Sequence, residues 1–154
     1  MNEYMKAAYD EAMKNITGSE GGPFGAVIVK DGEIVASAHN QVLATNDPTM
    51  HAEIAAIRMA TRRLGRFHLE DCEIYATCEP CPMCMAAIIW AKIPKVYFGA
   101  NRKDAEDIGF DDNYIYEFIA GSAREIKTYC YILEHDSCVK LFDQWIKKEN
   151  KEMY

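Results

Sequence analysis

Two short motifs, His51-Ala52-Glu53 and Pro80-Cys81-Pro82-Met83-Cys84, constrain this chain more than any other feature. Each stands where a helical pattern begins, so a fold that uses both must turn two helix N-termini toward one point. One imidazole and two thiols make three ligands for a borderline-soft ion such as Zn²⁺, leaving a fourth position for water or hydroxide. The partial positive charge of a helix N-terminus helps, because it lowers thiol pKa values and favours the thiolates that metal binding requires. Glu53, two residues from His51, is placed to take a proton from that water and return it to a departing amine. The pair of motifs therefore predicts hydrolytic release of ammonia from an electron-poor C–N carbon. One zinc per chain would be held by His51, Cys81 and Cys84, with Glu53 as catalytic acid and base.

Blander readings compete for the same residues. A structural zinc knot needs a fourth ligand, and Cys78 would supply it in Cys78-x-x-Cys81-x-x-Cys84. An iron–sulfur run would want another cysteine where Ile88 stands. A redox Cys-x-x-Cys leaves His51-x-Glu53 unexplained. The six cysteines suffice for three disulfides, but the N-terminus lacks the basic head, apolar middle and cleavage site of an export signal. Reduced thiols and a cytoplasmic protein are expected, with Cys72, Cys130 and Cys138 as packed or free thiols. His39, His68 and His135 lack partners at ligand spacing and read as surface or hydrogen-bonded structural histidines.

Around these motifs the pattern alternates helix and strand. Residues 2–16 carry Met5, Ala8, Tyr9, Ala12, Met13 and Ile16 at helical spacing. Apolar runs at 26–30 and 33–36 flank Asp31-Gly32, a type I′ hairpin signal. Asn46-Asp47-Pro48 predicts a helix start, with the helix over about 49–64 stopped by Gly65. Strands are expected at 73–77, 95–99 and 127–133, a helix between Pro82 and Pro94, and a terminal helix over 138–150. Residues 101–125 read as irregular, with a short helix near 114–120. Strands alternating with helices of this length predict an α/β domain of three layers, α/β/α, around a mixed five-stranded sheet.

The chain's 154 residues match one domain, taken as 1–154, and suffice for a core without staples. Seventeen Lys and Arg against 24 Asp and Glu give a net charge of −7, which disfavours nucleic acid as a partner. The longest apolar run, 83–91, is about half the roughly 20 residues of a membrane span, so no membrane partner is expected. Arg58, Arg62, Arg63 and Arg66 along one helix read as a solvated face rather than a phosphate track.

The spacing of His-x-Glu and Pro-Cys-x-x-Cys is that of the zinc nucleobase deaminases. The runs GGPFGAVIVKDG (21–32), NDPTMHAEIAAIR (46–58), CEPCPMC (78–84) and GFDDNYIY (109–116) resemble the bacterial guanine deaminases of the cytidine-deaminase superfold. The first three are shared with tRNA adenosine deaminases; GFDD and the aromatic tail narrow the likeness. The resemblance implies attack at C2 of guanine, giving xanthine and ammonia in purine catabolism or salvage. It also implies a purine pocket of Phe24, Asn40, Trp90, Asp112 and Tyr154. In this family the C-terminal segment, here about 121–154, is exchanged between two subunits, which implies a homodimer with Tyr154 capping the other subunit's pocket. A nucleoside deaminase acting on guanosine and, more remotely, a tRNA adenosine deaminase stand as alternatives. So does a zinc-stabilised binding protein, which would have no use for Glu53.

Overall fold

The structure, a computed structural model, describes residues 1–123 and 129–153. The chain divides into two compact units, Met1–Asp112 and Asn113–Tyr154.

The first unit opens with α1 (Glu3–Thr17), capped by the Asn2 side chain, which accepts the N–H groups of Tyr4 and Met5. The hairpin follows as β1 (Gly25–Lys30) and β2 (Glu33–His39). Asp31 and Gly32 both have positive φ, as a type I′ turn requires. A short α2 (Val42–Thr45) was not legible in the sequence; it ends at Asn46 in the left-handed conformation. Then come α3 (Ala52–Leu64), β3 (Cys72–Cys78), α4 (Pro82–Trp90), β4 (Lys95–Ala100) and α5 (Arg102–Asp107).

The start of α3 corrects the sequence reading. Asp47 does not lead into a helix, because its carboxylate accepts both the backbone N–H and the hydroxyl of Thr49 in a local turn. The helix begins three residues later than expected, with His51 as its N-cap.

The sheet has four strands in the order β2-β1-β3-β4. β1 runs antiparallel to both neighbours, and β3 and β4 are parallel. β1 is almost continuously apolar because helices cover both its faces. On one side Val27, Val29 and Tyr75 pack with Ala8, Tyr4 and Met5 of α1. On the other, Ala26, Ile28 and Ile74 pack with Ala52, Ala56, Ala60 and Ile88 of α3 and α4. The small residues on α3 let the helix lie close to the strands, and three layers result as expected.

The expected fifth strand is absent among the described residues. Residues 127 and 128 lie outside them, and residues 129–133 form no ladder. Tyr, Ile and Leu there favour an extended chain, but a strand exists only through a paired edge. Tyr131, Ile132 and Leu133 are exposed. The second unit contains α6 (Asn113–Ile119) and α7 (His135–Lys147). No helix among the described residues is long and apolar enough to cross a membrane.

Candidate active site

His51 and Cys81 occupy equivalent places, each the N-cap of its helix and each in extended backbone. Neither side chain is spent on capping, so both are free to point at a shared ligand. Pro82 at the first turn of α4 needs no N–H partner and presets the turn that brings Cys84 round beside Cys81. Nδ1 of His51 lies 3.6 Å from Cys81 Sγ and 3.5 Å from Cys84 Sγ. Zinc bonds of about 2.0 Å to nitrogen and 2.3 Å to sulfur at a tetrahedral angle would separate N from S by about 3.5 Å. The donor set and its spacing therefore fit one zinc ion.

The ligand protons are already arranged unevenly. Cys81 is held down to about 4, first by the hydrogen bond from the Cys84 thiol and further by His51, against the opposing effect of burial. Cys84 is pushed up by the Cys81 thiolate beside it and by burial. His51 is raised, chiefly by its hydrogen bond to Cys81. Cys78 stands apart: burial pushes its thiol up to about 11, and its sulfur contacts the Asn101 carbonyl at 3.8 Å. Among the described residues the ligand cluster is His51, Cys81 and Cys84 without Cys78, which removes the support for a four-ligand structural knot.

Glu53 lies in the first turn of α3 and is only 7% exposed. Burial raises its carboxyl above the usual range, and the neighbouring Cys81 thiolate adds to this. It also shares a hydrogen bond with Cys84. A buried carboxyl beside the ligand set, with its proton affinity raised, is suited to carrying a proton in both directions.

Asn40, at the end of β2, is 4% exposed. Its Oδ1 accepts the N–H groups of Gly22 at 3.3 Å and Val42 at 3.2 Å, which commits the oxygen and leaves the amide N–H groups for other partners. The carbonyl oxygens of Gly22 and Asn40 both accept from Asn15 Nδ2 at 2.8 Å. Phe24 packs edge to face with Phe110 at 4.9 Å. Phe110, two residues before Asp112, was missed in the sequence, where it showed only as an aromatic inside GFDD.

Asp112 is half-buried, and burial raises its carboxyl despite Arg102, whose Nε stands 3.8 Å away. The Cys81 thiolate also raises it, so the carboxylate lies within electrical reach of the ligand cluster. Glu79, also missed, joins the two regions. Its N–H donates to Ala100 O at 2.8 Å, and its Oε2 accepts the Arg102 N–H at 3.1 Å. The loop leading to Cys81 is thereby stitched to the start of α5.

Of the expected pocket residues, Trp90 stands at the far end of α4 from Cys81. Trp90 ends the nine-residue α4, about 12 Å along the axis from Pro82, and is 67% exposed. Tyr154 lies outside the described residues.

Residues 1–100 match the family model for the cytidine and deoxycytidylate deaminase zinc-binding region. The guanine deaminase of Bacillus subtilis strain 168 is 44% identical over 151 residues, spanning 98% of this chain and 97% of that one. Its X-ray structure superposes with a TM-score of 0.90 at 43% identity, covering 100% of this chain and 99% of that one. A tRNA-specific adenosine deaminase from Aquifex aeolicus is 48% identical over 100 residues, 65% of this chain and 66% of that one. The guanine deaminase of Nitrosomonas europaea matches with a TM-score of 0.67 and 31% identity over 71% of this chain and 63% of that one. Fold, His-Cys-Cys cluster and full-length similarity lead to one conclusion: the chain belongs to the cytidine and deoxycytidylate deaminase family and is a zinc-dependent hydrolase with one zinc per chain.

Proposed function

We propose that this enzyme deaminates guanine to xanthine and ammonia, in purine catabolism or salvage. One observation carries the choice of substrate. The likeness to the Bacillus subtilis guanine deaminase continues through 98% of the chain, whereas the likeness to the Aquifex aeolicus tRNA deaminase spans 65%. The likeness to the guanine deaminase thus runs on past the zinc-binding region, which ends at residue 100, through Phe110 and Asp112.

His51, Cys81 and Cys84 hold the metal. Zinc bound there supplies a Lewis acid that makes water nucleophilic near neutral pH. Glu53 accepts a proton from the attacking water and delivers it to the ring nitrogen next to C2, then takes the second proton from the hydroxyl now on C2 and delivers it to the leaving amine. One water is consumed, the exocyclic C–N bond breaks and a C=O replaces it. Because Asn40 Oδ1 is already taken, its Nδ2 is the group left to donate to an acceptor on the base. Asp112 accepts from ring or exocyclic N–H groups, and Phe24 offers an aromatic flank that Phe110 steadies.

Trp90, Tyr154 and the C-terminal unit belong to the same proposal through a homodimer that exchanges about residues 121–154. Support comes from α7, whose Phe142 and Ile146 are exposed on one apolar stripe, and from β4, an edge strand of the sheet among the described residues. Tyr154 then closes over the other subunit's base, and Trp90 adds an aromatic face to the purine pocket. A cytoplasmic setting completes the reading, since a site built on two cysteine ligands suits a reducing compartment.

The test of this chemistry is Glu53→Gln. The wild type is expected to release ammonia from guanine. The variant should retain about one zinc per chain by metal analysis while kcat falls about 10²- to 10⁴-fold. Ammonia release at the wild-type rate in the variant would remove Glu53 from the mechanism.

A further inference from the structure

His39, the last residue of β2, sits between two carboxylates from different parts of the first unit. Its Nδ1 lies 2.9 Å from Glu11 Oε2 on α1, and its Nε2 lies 2.8 Å from Glu20 Oε2 in the loop 18–24. An ionised carboxylate only accepts, and a neutral imidazole has a single N–H. Two such bonds at these lengths therefore require a proton on each ring nitrogen. The other charged and polar neighbours suit that state. Glu11 also accepts from Lys14 at 2.7 Å and from the Ser37 hydroxyl at 3.0 Å, so two cations face two carboxylates.

The loop tied down in this way wraps Asn40. Glu20 O accepts the N–H groups of Leu43 at 2.9 Å and Ala44 at 3.0 Å, and Gly22 N–H holds Asn40 Oδ1. We propose that His39, as an imidazolium shared between Glu11 and Glu20, is a positioning residue that anchors the loop 18–24 and so sets how firmly Asn40 presents its amide to the base. The proposal rests on the reading of Asn40 as a contact to the base.

Loss of one proton leaves a nitrogen lone pair facing a carboxylate. Glu20, 52% exposed at its side chain against 13% for Glu11, is the partner free to leave. Burial opposes the imidazolium, but the bonds to Glu11 and Glu20 outweigh it and raise the pKa above the ordinary value. The anchor is thus complete below the ordinary imidazole pKa of about 6.5 and is lost as pH rises through the raised value.

The test is the pH dependence of KM and kcat for guanine in the zinc-loaded enzyme, its His39→Gln variant and its Glu20→Gln variant. The ratio of variant to wild-type KM for His39→Gln is expected to be about 3- to 10-fold near pH 6 and to approach about one near pH 9, with kcat within about twofold. Glu20→Gln keeps the ring but removes one carboxylate, so the rise in KM should move to lower pH. That surface variant carries the test if His39→Gln fails to fold. A KM ratio that stays constant with pH, or an unmoved rise in Glu20→Gln, overturns the proposal. Asn40→Ala separates the two layers. If it raises KM while the His39→Gln ratio is flat, only the anchor fails; if it leaves KM unchanged, the reading of Asn40 fails and the anchor with it.

Discussion

Asn40 illustrates how a residue's chemistry is narrowed by what it already does. With Oδ1 committed to Gly22 and Val42, only the amide N–H groups remain for a ligand. Asn40→Asp keeps the acceptor and loses the donor, so KM for guanine is expected to rise about tenfold or more, measured by steady-state kinetics. Gly21 is constrained by the same residue: a Cβ there would lie 2.1 Å from Asn40 Oδ1 and 2.6 Å from its carbonyl oxygen. Neither can yield without giving up its bonds, so Gly21→Ala should cost about 1–3 kcal/mol of stability and raise KM, as read by thermal melting and kinetics. At the ligands, Cys84 keeps its proton in the metal-free protein while Cys81 is ionised at about 4. Zinc uptake near neutral pH should therefore release about one to two protons per chain and weaken on acidification, measured by calorimetry in buffers of different ionisation enthalpy. His51, Glu53, Cys81 and Cys84 were legible in the sequence because metal chemistry demands those residue types at helical spacing. Phe110 and Glu79 were not, because an aromatic or a carboxylate in a loop acquires its role only from the residues folded against it.

The elements explain why the cluster forms at all. α3 and α4 start at a ligand, so backbone geometry as well as side-chain type delivers His51 and Cys81 to the same place. The sequence suggested a start near Pro48, and the local turn at Asp47 moved it to His51. That shift is invisible to periodicity, since it depends on how one carboxylate divides its bonds. α5 was missed for a similar reason, being only six residues long and held by a capping box between Asn101 and Asp104 rather than by an apolar stripe. Asn101→Ala removes the acceptor for two N–H groups at the point where Cys78, Glu79 and Arg102 meet. A loss of about 1 kcal/mol in stability is expected by denaturant unfolding. The expected strand at 127–133 failed differently: composition supports an extended chain, but pairing is a property of two strands and cannot be read from one.

For the whole molecule, the sequence carried the layer order and the charge argument, but not the division at Asp112 into two units. A net charge of −7 opposes a polyanion and suits a small neutral base. If the C-terminal unit is exchanged, the mass in solution should be twice 17.5 kDa by light scattering. Truncation before Met153 should then lower kcat/KM about 10- to 100-fold, the scale of one lost aromatic stack on a base, with unchanged melting of the remainder. A chain that runs as a monomer, or a truncation without kinetic effect, would contradict the exchange. Guanine as the substrate is tested by ammonia release measured side by side on guanine, guanosine and a tRNA anticodon stem-loop with the zinc-loaded enzyme. Turnover of guanine to xanthine, with guanosine and the stem-loop left essentially intact, is the expected result. Deamination of guanosine or of the stem-loop at a rate equal to or above that of guanine would contradict it.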